Sequence, residues 1–166
     1  KEKGIAAKTL DLMREYELEP EDVILDNFGV GAEVSKEILL LDHTANVTSM
    51  NWGNDADDVD VYLNKRAECC WRAREWLIRG GLIVGDELKR DVLAYYARKT
   101  VSGKVQILDK PKIKKRLGRS PDRGDSFFMT FYDDVDLKSM SDTERLKARI
   151  WRQGGNVNKE SLYDAI

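Results

Sequence analysis

The run Val23-Ile24-Leu25 is continuously apolar, stops at Asp26, and is followed by the glycine-rich stretch Asn27-Phe28-Gly29-Val30-Gly31. A short unbroken apolar run of this kind is what a buried strand looks like. The glycines mark a turn, and residues 32–41 form the next helix. Upstream, Ile5, Ala6, Thr9, Leu10, Met13 and Tyr16 recur at helical spacing over 5–18, and Glu19-Pro20-Glu21 ends that helix. Val47 to Trp52 reads as a second strand. A long helix is expected from about Asp60 to Arg79, stopped by Gly80-Gly81. A brief strand at Leu82-Ile83-Val84 follows, then a helix over 86–98 with Leu88, Val92 and Tyr95 inward. Val101 to Leu108 reads as a strand with a turn at Ser102-Gly103, and 121–131 as a helix. Strands alternating with helices imply an α/β fold with a partly parallel sheet. Ligands of such sheets sit beyond the carboxyl ends of the strands, and Asp26 is at one of those ends.

The 166 residues suffice for one domain with a real core, expected over 1–132, with 133–166 as a short helical tail. No apolar run approaches the ~18 residues of a membrane span, and the start is not a signal peptide. The net charge of −2 excludes a globally basic nucleic-acid binder but not a local basic patch. Cys69 and Cys70 are adjacent and poorly placed to bridge each other, so they read as buried thiols of a reducing compartment. With one histidine, His43, and no CxxC, a structural zinc site is not expected.

The stretch from Gly118 to Phe128 carries the most chemistry. Ser120 suits an N-cap and Pro121 the first helical position. Asp122 and Asp125, three apart, then share one helix face. Two like charges there oppose the helix by ~0.2–0.5 kcal/mol, and a bound divalent cation reverses the sign. The helix dipole alone also favours acids in a first turn. Ahead of this helix, Lys110, Lys112, Lys114, Lys115, Arg116 and Arg119 make six of ten residues cationic, which reads as a flexible basic loop. A cationic loop beside an acidic metal site suits phosphodiester cleavage: the cations hold the backbone while metals act on one phosphate.

Other features are weaker. Gly29-x-Gly31 lacks the third glycine and the ribose-binding acid of a dinucleotide loop. Asp55, Asp57, Asp58 and Asp60 lack the glycine and bidentate glutamate of a calcium loop, and are expected to be solvated and to serve the dipole of the following helix. Asn64, Arg66 and Trp71 are expected to pack or to form salt bridges.

In order along the chain stand Asp26-x-x-Gly29-x-Gly31-x-x-Val34, then Asn64-Lys65-Arg66-Ala67 with Trp71, a Gly103-Lys104 turn, and a lysine-rich run into Ser120-Pro121-Asp122-x-x-Asp125. Over about 5–132 this order resembles the C-terminal nuclease domain of the large terminase subunit of tailed bacteriophages. The resemblance implies an RNase H-like mixed sheet flanked by helices, and an endonuclease that cuts concatemeric double-stranded viral DNA during packaging. It implies two Mg²⁺ or Mn²⁺ ions on Asp26, Asp122 and Asp125, one generating hydroxide and one stabilising the leaving oxygen. With that mechanism, Lys110, Lys112, Lys114, Lys115, Arg116 and Arg119 of the basic segment are expected on the DNA backbone. The family carries a further metal aspartate on strands that precede the first helix, and here those N-terminal strands are missing. Implied partners are the ATPase domain of the same parent protein, the portal and the small terminase subunit; the implied location is the host cytoplasm. The alternatives are a non-catalytic docking module of the packaging motor, or another RNase H-like nuclease such as a Holliday-junction resolvase.

Overall fold

The computed structural model describes residues 4–27 and 30–132, which fall into two compact units, one ending at Trp52 and one beginning at Gly53. The expected tail, 133–166, lies outside the described residues.

The first unit is a βαβ arrangement with a preceding helix. Helix α1 (Ile5–Glu15) buries Ala6, Leu10 and Met13, spaced one and two turns apart on one face. A single 3₁₀ turn at Pro20–Asp22 follows; Asp22 closes it by accepting the backbone N–H of Glu19 at 2.9 Å. Strand β1 (Ile24–Asp26) pairs in parallel with β2 (Thr48–Met50), in the register Ile24 to Thr48 and Asp26 to Met50. Helix α2 (Val30–Leu41) connects them and contributes Val34 and Ile38 to the core, where they join α1, Ala45 and Val47. All three residues of β1 are half-buried, not fully buried as the apolar run suggested. Among the described residues the strand has one neighbour, so part of it stays accessible.

The second unit is helical with one hairpin. Helix α3 (Lys65–Ile78) begins at Asn64, whose Oδ1 accepts the N–H of Ala67 at 3.0 Å. That is later than the expected start near Asp60. Asp58 accepts the N–H groups of Asp60 and Val61, both at 3.2 Å, and so stabilises a turn that competes with helix. Residues 61–63 instead run beside Val105, exchanging backbone bonds of 2.8 and 2.9 Å with it. Leu82-Ile83-Val84, expected as a strand, forms none; a three-residue apolar run cannot supply its own partner. Helix α4 (Asp86–Val92) is shorter than the expected 86–98. Residues 97–99 become β3 (Ala97–Lys99) and pair antiparallel with β4 (Val105–Ile107) around Gly103, whose φ of 85° suits a hairpin turn.

The basic stretch expected as a flexible loop is helix α5 (Lys110–Leu117). Pro111 sits in its first turn, Ile113 is its buried anchor, and Gly118 ends it in the left-handed conformation at φ 72°. Lys114, Lys115 and Arg116 in the last turn complement the helix dipole. Helix α6 (Asp122–Met129) follows, its N-cap at Pro121, one residue beyond the expected Ser120. Phe128 packs its ring 4.5 Å from that of Tyr95, and Trp76 stands edge-on to Phe131 at 5.7 Å. These rings seat α6 in the unit's core.

Candidate active site

Asp26 ends β1 in the first unit and is half-buried. Helix α2 starts so close behind it that a Cβ on Gly31 would lie 1.8 Å from the Asp26 carbonyl oxygen. The N–H of Asn27 donates to Met50 O at 2.6 Å, which holds the strand end against β2.

Asp122 and Asp125 stand in the first turn of α6, in the second unit. Asp122 is exposed, and its Oδ1 accepts the Ser120 hydroxyl at 2.6 Å. Asp125 is buried, and three groups converge on its carboxylate. The Tyr95 hydroxyl donates to Oδ1 at 2.5 Å, Arg66 reaches Oδ1 at 3.5 Å, and Lys110 Nζ reaches Oδ2 at 2.5 Å. Burial, and then the bond to Asp125, push the Tyr95 phenol far above its ordinary range, so it acts as a proton donor in that bond.

The six predicted cations are not equivalent. Lys110 is committed to Asp125, and Arg119 to Asp91 at 2.5 Å. Lys112 pairs with Asp109 at 3.4 Å on the surface, and the Arg116 guanidinium lies 4.1 Å from the Tyr96 ring centroid and bonds its hydroxyl. Lys114 and Lys115 are exposed on α5.

Asp91, Tyr95 and Arg66 are the groups that sequence reasoning left unassigned or treated as packing. A signal existed for Asp91: it falls on the inward side of a helix whose other inward residue is Val92, and a charge there implies a buried partner. Asp57, expected to be solvated, pairs with Lys65 at 2.7 Å and Arg72 at 2.9 Å. Hydrogen bonds from Lys65 and then Arg72 hold its carboxyl below the usual range. Arg66 forms a salt bridge, as expected, whereas Asn64, expected to pack or pair, caps α3.

Among the described residues, no group of three His, Cys, Asp or Glu side chains is arranged to hold a metal ion. Within the second unit the reason is visible. Asp125 already has its charge compensated by Lys110 and Arg66, which leaves Asp122 as the one open carboxylate of the pair. As they stand, these two groups do not by themselves make a metal site. Among the described residues no helix is long and apolar enough to cross a membrane.

No family model matches the sequence, and no curated protein matches it. Solved structures do. The nuclease domain of the large terminase subunit gp2 of bacterial virus Sf6 superposes with a TM-score of 0.61 at 18% identity, covering 78% of this chain and 72% of that one. A lysine-to-alanine variant of that domain with manganese gives 0.60 at 19% identity, over 76% and 71% of the two chains. The same variant with calcium gives 0.60 at 19% identity, over 76% and 70%. At this identity the likeness is one of fold: the chain has the mixed α/β architecture of the nuclease domain of a phage large terminase subunit.

Proposed function

We propose that this protein is a divalent-metal-dependent endonuclease that cuts concatemeric double-stranded DNA during packaging of a tailed-phage genome. The observation that carries this reading is the fold shared with a terminase nuclease domain that has been solved with manganese and with calcium. The acidic first turn of α6, preceded directly by a basic helix, supports it. In this reading residues 1–132 form an RNase H-like nuclease domain. The resemblance would put two Mg²⁺ or Mn²⁺ ions on Asp26, Asp122 and Asp125, supplying activation of water and stabilisation of the leaving oxygen. Lys110 has to leave Asp125 before that carboxylate can take an ion. The chain's own contribution to DNA is made by α5, with Lys114 and Lys115 on the backbone. Base readout is not expected, because phosphate contacts fix register without reading sequence. The partners are double-stranded DNA, the ATPase domain of a parent protein, the portal and the small terminase subunit, in the host cytoplasm.

Plasmid degradation in Mg²⁺ or Mn²⁺ tests this reading. Asp26→Ala and Asp122→Ala should each abolish cleavage, and cleavage undiminished in both variants would refute the assignment. The charge compensation of Asp125 favours a second reading, a non-catalytic docking module. Melting in rising Mn²⁺ separates the two: a metal site gives stabilisation that grows with concentration, and a docking module gives none.

A further inference from the structure

The first turn of α6 is gripped at two points by the segment that ends α4. Asp91 accepts the backbone N–H of Gly124 at 3.2 Å, and Tyr95, four residues on, donates to Asp125 at 2.5 Å. Asp91 is wholly buried. A carboxylate in such a place needs both N–H donors and a cation, since stranding it uncompensated is strongly unfavourable. The cation is Arg119. Its NH2 lies 2.5 Å from Oδ1 of Asp91, and its NH1 donates to Ser120 O at 2.9 Å. The guanidinium therefore spans from α4 to the turn that enters α6. Glycine at 124 eases this approach: a Cβ there would lie 3.0 Å from the Asp91 Cβ and 3.0 Å from Tyr95 Cε2, so one of those side chains would have to give by a few tenths of an ångström. Asp122 and Asp125 flank that glycine in the helix.

We propose that Asp91 is a positioning residue for the α6 carboxylates, with Arg119 as its counter-ion and not a phosphate contact. Moving Arg119 to a phosphate would leave Asp91 buried without its cation, a loss larger than one solvent-exposed phosphate contact returns. The inference removes Arg119 from the predicted DNA set. Its catalytic consequence rests on the nuclease reading; its statement about Arg119 does not.

The test uses Asp91→Asn, Arg119→Met, the double variant, and Lys115→Gln as a reference phosphate contact. Mn²⁺-dependent cleavage of linear duplex DNA supplies kcat and KM, and binding across salt concentrations supplies the slope of log K against log salt. Asp91→Asn and Arg119→Met should each lower kcat about 10–100-fold with little change in KM, as loss of an outer partner does. The double variant should be no worse than the poorer single one, because the two residues act as a unit. Arg119→Met should leave the salt slope unchanged, where Lys115→Gln reduces it by about 0.9. A slope reduced by about 0.9 in Arg119→Met, or an undiminished kcat in folded Asp91→Asn, would overturn the proposal. If Asp91→Asn does not fold, Arg119→Met, whose side chain is 45% exposed, carries both readouts. A wild-type protein that binds DNA but cleaves none refutes the nuclease reading, while the salt slope still decides what Arg119 serves.

Discussion

Gly31 admits no side chain. With a Cβ 1.8 Å from the carbonyl oxygen of Asp26, Gly31→Ala must push α2 away from the end of β1. Backbone gives far less readily than a flexible side chain, so the cost should reach about 3 kcal/mol, the upper part of the overpacking range. Chemical denaturation of the variant checks it; a loss under about 0.5 kcal/mol would mean that the start of α2 yields readily behind Asp26. Cys69 and Cys70 lie at the other extreme of reactivity. Burial pushes the Cys69 thiol to about 12 and Cys70 well above the usual range. Thiolate is the reacting form, so neither thiol should label with a maleimide or iodoacetamide at pH 8 in the folded protein. Both should label at once in denaturant, with mass spectrometry as the readout. The burial of two adjacent thiols was legible from local pattern, whereas Gly31, expected in a turn ahead of a helix over 32–41, already belongs to α2.

At the scale of elements the basic stretch 110–119 carries the clearest divergence between pattern and outcome. Six cations with little apolar content read as a solvated loop, yet one buried residue, Ile113, with a proline in the first turn and a glycine at the end, is enough to fold it as α5. Its charges then divide by geometry. Lys110 serves Asp125 while Lys114 and Lys115 face solvent. If α5 lies on DNA, Lys114→Gln combined with Lys115→Gln should reduce the slope of log K against log salt by about 1.8, one phosphate for each lysine. Fluorescence anisotropy at 50–200 mM salt measures it, and an unchanged slope would remove α5 from the DNA surface. The hairpin β3–β4 teaches the same lesson. Helical spacing continued through 86–98, but pairing of 97–99 with 105–107 stopped the helix at Val92. Cross-strand partners six to ten residues away in sequence are invisible to a local period.

At the scale of the molecule, the second unit is tied together by a buried ionic network. Lys65 and Glu68 are 4% and 2% exposed, and they meet at 3.0 Å. Glu68 also accepts the N–H of Asp57 at 3.0 Å, and Arg72 joins Glu68 at 3.2 Å to the backbone carbonyl of Tyr132 at 2.7 Å. Glu68→Ala leaves Lys65 buried without this partner and should cost about 3–5 kcal/mol. The network also sets pH limits. Asp57 has its pKa lowered below 3.8 in the folded state, so its contribution is present above about pH 4 and is lost as pH falls through the lowered value. Burial lowers the Lys65 ammonium, but hydrogen bonds to Asp57 and Glu68 more than offset it, and its pKa is raised above 10.5. That contribution is full below pH 10.5 and is lost as pH rises through the raised value. Melting temperature should therefore hold a plateau between these limits, and Asp57→Asn should flatten its acid edge alone. A profile with the same acid edge in Asp57→Asn would show that other carboxylates govern it.

By itself the amino-acid sequence determined the class of fold, the strand ending in Asp26, the acidic first turn of α6 and the likeness to terminase nucleases. The first three rest on patterns a few residues long, where spacing dictates which side chains share a face, and the likeness rests on the order of short motifs along 5–132. Tertiary structure decided which charges are spoken for. Lys110 and Arg119 read as DNA contacts in the chain, yet each neutralises a buried aspartate, Asp125 and Asp91. The physical reason is desolvation: a carboxylate taken out of water captures the nearest cation, and which cation is nearest is set by how helices pack, not by their order along the chain.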